Sequence, residues 1–118
     1  MLRTLRRLRH AWSQRVAVEG GSMLPALHPG DWLLVDTEAY EGRPPRPGEV
    51  VVVPDPRHAQ RWLVKRVAST AADGRLVLVG DRPDASTDSR TFGTVDPSVV
   101  IGRAWLRYWP PRRIGRVR

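Results

Sequence analysis

Arg61-Trp62-Leu63-Val64-Lys65-Arg66-Val67-Ala68-Ser69 is the stretch on which the fold turns. Aliphatic, aromatic and β-branched side chains fill it, neither glycine nor proline interrupts it, and its apolar residues show no helical period. It reads as a β-strand. Alternate side chains of a strand share a face, so Leu63, Lys65 and Val67 lie on one side and Trp62, Val64 and Arg66 on the other. Working outward, further β-type runs occupy 16–18, 31–36, 49–53, 75–80 and 99–109. Asp73-Gly74 is a hairpin signal, and the proline-rich 43–48 is a loop. After Arg15 no segment has helical period. The expectation is a mostly β, small, mainly antiparallel, barrel-like fold, closed or nearly closed to hide its edges.

The ends differ from the body. Leu2, Leu5, Leu8 and Trp12 recur at three- and four-residue spacing among arginines, which predicts a short basic amphipathic helix over 2–14. Net charge is +8, yet nine of the twenty basic residues sit in 1–15 and 112–118. The remaining eleven face twelve acids, so the body is close to neutral. The organisation expected is a basic amphipathic segment at 1–15, one β-rich domain at 16–111 and a basic tail at 112–118. At 118 residues there is room for one core.

That charge distribution argues against a nucleic-acid partner, which asks for a basic face on the domain itself. The absence of cysteine excludes disulfides, thiolate nucleophiles and Cys-ligated metals. His10, His28 and His58 match no metal-ligand spacing, so neither metal nor cofactor is expected. No run approaches the ~18–20 apolar residues of a membrane span, and no apolar signal-peptide region follows the basic start. A cytoplasmic location is the expectation, with weak peripheral membrane contact through the Arg-rich ends as the alternative.

The chemistry starts from Lys65, the one lysine beside nineteen arginines. An ammonium gives up its proton when desolvated, whereas a guanidinium does not. Leu63 and Val67 flank Lys65 on its own face, a setting that would lower its pKa toward neutrality and fit it as a general base. A nucleophile stands upstream in Glu19-Gly20-Gly21-Ser22-Met23-Leu24-Pro25. The glycines permit a tight turn and close approach of a substrate carbonyl, to which Ser22 can present both Oγ and its own N–H. A histidine triad does not fit, because His28 lies six residues from Ser22 across a proline turn and His58 sits among prolines and charges. A third element, the polar loop 80–93, follows a strand and carries short side chains able to orient neighbours.

In that order, Gly21-Ser22-Met23-Leu24-Pro25-Ala26-Leu27 with Gly30-Asp31, then Val64-Lys65-Arg66-Val67, then Gly80-Asp81 through Ser86, Asp88-Ser89-Arg90, Phe92-Gly93 and Val95 resemble bacterial signal peptidase I. Ile101-Gly102-Arg103-Ala104 is similar to that family's last core strand. The resemblance runs from about residue 16 to 109 and implies a serine endopeptidase with a Ser–Lys dyad acting on a protein or peptide substrate. It implies Ser22 as nucleophile and Lys65 as general base, with Ser86 orienting the lysine amine. Asp88 and Arg90 would brace the polar loop by ion pairing, and Met23 and Pro25 would shape the turn behind the nucleophile.

The chain departs from the family pattern at Gly20, where many relatives carry a serine or threonine that completes the oxyanion hole. Loss of one such donor costs about 10²–10³ in rate. The usual Asn-Arg after Gly-Asp is replaced by Arg82-Pro83. In size and in its Gly-Gly-Ser-Met sequence the chain resembles the small branch that matures nickel-type superoxide dismutase, which implies removal of a short leader from a proprotein. The alternatives are general signal-peptide processing at a membrane surface, a self-cleaving repressor of the SOS type, a family member made inactive by Gly20, or a basic-tailed, non-enzymatic binding module. The repressor reading lacks the helical domain and Ala-Gly cleavage site that should precede the serine.

Overall fold

In the computed structural model, residues 14–82 and 93–118 are described. Seven strands form one antiparallel sheet: β1 (Gln14–Ala17), β2 (Trp32–Asp36), β3 (Val50–Asp55), β4 (His58–Thr70), β5 (Leu76–Val79), β6 (Gly102–Trp109) and β7 (Gly115–Arg116). Their order is β1-β2-β6-β3-β4-β5, with β7 added on β6. The helix expected over 2–14 lies outside the described residues except for Gln14, which begins β1. The basic stretch 112–118 carries β7, whose Arg116 stands opposite Leu106 in β6.

The quoted stretch lies within β4, which is 13 residues long and serves two partners. Val50 to Pro54 of β3 pair with Arg66 to Trp62, placing Val51 opposite Lys65 and Val53 opposite Leu63. From Arg66 onward the strand's other edge pairs with β5. Two local turns hold the hairpins. Asp55 accepts the Arg57 N–H at 2.9 Å at the tight β3–β4 connection. Gly74, at φ +87°, donates to Ala71 at the Asp73-Gly74 hairpin that joins β4 to β5.

The four-valine run of β3 explains how one sheet makes two cores. Val50 and Val52 pack with Val18, Met23, Leu27, Leu33, Val35 and Ala104. Val51 and Val53, on the opposite face, pack with Leu63, Val67, Leu76, Leu78 and Val95. All four are buried, so β3 is apolar throughout, as a strand covered on both faces must be. Each such side chain contributes roughly 1.5–3 kcal/mol of burial.

The closure expected of a barrel-like fold is corrected here. Among the described residues β1 pairs only with β2, and β5 pairs only with β4 apart from a bridge between Leu76 and Val95. Residues 58–65 of β4 pair only with β3. The chain turns off the sheet after Val18, and a cleft occupies the space between β1 and β4. The sheet is therefore open.

Candidate functional site

The turn carrying Ser22 is an eleven-residue excursion that leaves and rejoins the sheet at one point: Val18 donates to Asp31 O, and Gly30 donates to Val18 O, both at 2.8 Å. Within it Leu24 donates to Gly21 O at 3.2 Å and Leu27 to Met23 O at 2.9 Å, winding the chain tightly behind the serine. Met23 and Leu27 are buried in the first core, so the turn is anchored from below. Gly20 sits at φ +68°, a left-handed conformation natural to glycine. Ser22 is left half-buried above this anchor.

Lys65 arrives from β4. It is 3% exposed, with Leu63 and Val67 beside it and Val51 across the ladder. Its Nζ donates to Ser22 Oγ at 3.2 Å. Residues 43 positions apart are thus joined through a side-chain contact that an arginine fork would not reproduce. Of the other residues singled out in the sequence, Met23 lies beneath the turn and Gly20 lines the cleft. Ser86, Asp88 and Arg90 lie outside the described residues.

Both the lysine strand and the serine turn are fastened to the start of the polar loop. Arg66, next to Lys65, grips Asp81 in a two-pronged ion pair, Nε–Oδ1 at 2.7 Å and Nη2–Oδ2 at 2.8 Å. The same guanidinium donates to Gly48 O. Arg66 is held above its ordinary pKa by the Asp81 hydrogen bond. The next residue, Arg82, donates its backbone N–H to Ser22 O at 2.8 Å. Lys65-Arg66 and Gly80-Asp81 both stand out in the sequence, but the link between them does not. Its signal was an arginine beside the lysine and an aspartate closing a strand, which only the fold brings together.

A second missed arrangement lies behind the turn. Asp31, fully buried, accepts from Arg113 Nη2 at 2.5 Å and from the His28 N–H at 2.8 Å, and Arg107 Nη1 lies 3.4 Å away. Burial alone would raise the Asp31 pKa. The Arg113 hydrogen bond, the His28 amide and the two arginine charges outweigh it and hold the carboxyl below its ordinary value. Arg107 also donates to Ala26 O at 3.1 Å, so β6 and the C-terminal turn brace the serine loop.

The cleft beside Ser22 and Lys65 has a volume of about 640 Å³. One wall is residues 15–23 and the other is residues 60–65, with Trp32 and Arg57 completing it. Trp32 and Trp62 are exposed, at 41% and 39%. No group of three or more His, Cys, Asp or Glu side chains able to hold a metal occurs among the described residues. No helix among them is long and apolar enough to cross a membrane.

Comparison with known proteins agrees with this architecture. The chain is 34% identical over 123 residues to the mitochondrial ATP-independent inner membrane protease subunit 1a of Arabidopsis thaliana, covering 86% of this chain and 73% of that protein. It is 31% identical to the mitochondrial inner membrane protease subunit 2 of Danio rerio, covering 85% of this chain and 66% of the relative. It is 24% identical to a probable signal peptidase I-1 of Synechocystis, covering 85% and 73%. The family described as signal peptidase, peptidase S26, matches residues 4–73 and 69–109. These matches span the serine turn, the lysine strand and the sheet that joins them, and the chain belongs to the signal peptidase (S26) family of serine peptidases.

Proposed function

We propose that this protein is an endopeptidase in which Ser22 is the nucleophile and Lys65 the general base, and that it removes a short N-terminal leader from a proprotein. The observation that carries the reading is the 3.2 Å contact between a buried lysine amine and a serine hydroxyl at the floor of an open cleft. The unprotonated amine takes the hydroxyl proton as Oγ attacks the scissile carbonyl. The tetrahedral oxyanion is met by the Ser22 N–H. As the C–N bond breaks, the amine leaves carrying the proton from Lys65, and the acyl group stays on Oγ. Lys65 then takes a proton from a water as that water attacks the ester, and returns it to Oγ as the C–Oγ bond breaks, releasing the acid and free Ser22.

The cleft's shape suggests how the peptide lies. The outer edge of β1 and the cleft-side edge of residues 58–65 in β4 lack strand partners among the described residues. Both walls run toward the dyad. An extended peptide laid between them hydrogen-bonds to exposed strand edges and leads its scissile bond to Ser22. Ser86, Asp88 and Arg90 retain the roles the family resemblance implies, orienting the amine and bracing the loop. The nickel-type superoxide dismutase precursor is the substrate suggested by the resemblance to the small branch.

Incubation of the purified protein with leader-bearing precursors, that one included, followed by mass determination of the new N-terminus, tests the reading. Processing is expected from the native chain and none from Ser22→Ala or Lys65→Arg. Normal turnover by Lys65→Arg would remove the base assignment, since arginine cannot release its proton.

A second reading places the same chemistry at a membrane surface. The matched relatives are named as inner membrane proteases, and exposed Trp32, Trp62 and Trp109 accompany a strongly basic chain. Co-sedimentation with anionic vesicles, compared with neutral ones, separates the two settings.

A further inference from the structure

The cleft is not electrically uniform along its length. Glu19 lines it three residues from Ser22, whereas Arg15 and Arg61 line it farther from the dyad. The third arginine, Arg57, is already held by buried Asp55, with Nε–Oδ1 and Nη2–Oδ2 both at 3.2 Å. Arg61 is exposed and makes no ion pair among the described residues. Arg15, on the facing wall, has its guanidinium 6.0 Å from the Tyr108 ring centroid. Among the described residues, the far end of the cleft therefore presents cations that no carboxylate pairs, while the end near the serine carries an acid.

From this polarity we infer that Arg61 is a specificity-determining residue that selects an acidic side chain about four residues from the scissile bond of the bound peptide. The inference rests on the endopeptidase reading above and deepens it. Arg61 lies four residues before Lys65 on the same wall of the cleft, next to the register break between Trp62 and His58, and at about 3.3 Å per residue it stands at most roughly 13 Å away. A peptide extended along β4 advances at the same rise. When its scissile carbonyl is at Ser22, the residue about four positions away stands beside Arg61. A guanidinium offers a planar pair of donors to a carboxylate there, and Arg15 adds a second positive charge from the opposite wall. Closer to the cut, Glu19 repels the same acid, so the preference is confined to the far position.

Fluorescein-labelled alanine-based peptides provide the probe, with Glu, Gln or Lys placed in turn at each of five positions on either side of the central peptide bond. Binding is measured to Ser22→Ala, which retains the cleft, and cleavage is measured with the native chain. Each exposed pair gives about a 2–5-fold effect, so attraction of Glu and repulsion of Lys together are expected to separate the two peptides by on the order of 10-fold at the far position. Adding Arg61→Glu to Ser22→Ala is expected to invert the order, and adding Arg61→Gln to abolish it. Equal binding of the Glu and Lys peptides at every position, binding of none of them, or a preference that survives Arg61→Glu overturns the inference. If the charge preference holds but the native chain cuts none of the peptides, the inference about Arg61 stands and the endopeptidase reading falls.

Discussion

At Gly20 the backbone, and not the space around it, decides which side chain is tolerated. A Cβ built there meets nothing within 4 Å, yet φ is +68°. An L-residue in that region costs about 1–2 kcal/mol. Gly20→Ser, which restores the hydroxyl common in the family, is therefore expected to lower stability by about 1 kcal/mol, read as a reduced thermal midpoint, and Gly20→Ala by the same amount. A serine variant as stable as the native chain would show that the turn relaxes freely. The sequence singled out the two residues proposed as nucleophile and base for chemical reasons. One lysine among arginines suits a site that needs a removable proton, and two glycines before a serine suit a turn open to a carbonyl. What sequence could not show was the length of the excursion that lifts Ser22 off the sheet, because the two hydrogen bonds between Val18 and Gly30-Asp31 that close it are tertiary.

Elements carry the precision that single residues cannot. The segment Gly80–Arg82 is tied to β4 through Arg66–Asp81 and to the serine turn through the Arg82 amide. Removing the carboxylate with Asp81→Ala leaves a partly buried guanidinium with only Gly48 O and Arg118 O as acceptors, both at 2.8 Å. The expected cost is about 1–3 kcal/mol, accompanied by a fall in turnover larger than the loss of folded protein explains. Activity that tracks folded fraction alone would make this tie purely structural. Gly102 shows the same dependence in the sheet. A Cβ there would stand 2.5 Å from Asp36 O and 2.8 Å from Val35 Cγ1, and backbone cannot yield as a side-chain tip can. Gly102→Ala is expected to destabilise by about 1–3 kcal/mol in denaturant titration, through forced separation of β2 from β6. Most strands were readable from their β-branched runs, and the Asp73-Gly74 hairpin from its turn chemistry. The Arg66–Asp81 pair was not, since neither its 15-residue separation nor its charges distinguish it from any other surface pair before folding.

At the scale of the whole molecule, buried Asp31 and half-buried Glu49 each hold arginines from distant segments. Glu49 receives Arg43 in a two-pronged pair at 2.8 and 2.6 Å, the Arg46 amide at 2.7 Å, and Arg103 at 3.2 Å. Burial would raise its pKa, but the Arg43 hydrogen bonds, the Arg46 amide and the arginine charges bring it from 4.5 to about 2. Because the folded value is the lower one, this stabilisation is complete above the unfolded pKa and is lost as pH falls through 4.5 toward 2. It amounts to about 3 kcal/mol at most. Thermal melts between pH 6 and 2 are expected to decline less steeply in Glu49→Gln than in the native chain; parallel declines would assign the acid sensitivity elsewhere. The mostly β, antiparallel character was visible in the sequence, but closure was not. Whether two strand edges meet depends on where the chain leaves the sheet, and the departure after Val18 is set by packing of Met23 and Leu27 that no local pattern reveals.

The gap between β1 and β4 has a consequence for handling the protein as well as for its chemistry. Among the described residues two strand edges are left unpaired at once, and a second copy can satisfy them as well as a peptide can. Concentrated, peptide-free preparations are expected to form oligomers detectable by light scattering. A tight, uncleavable strand mimic should disperse them by occupying the missing stave.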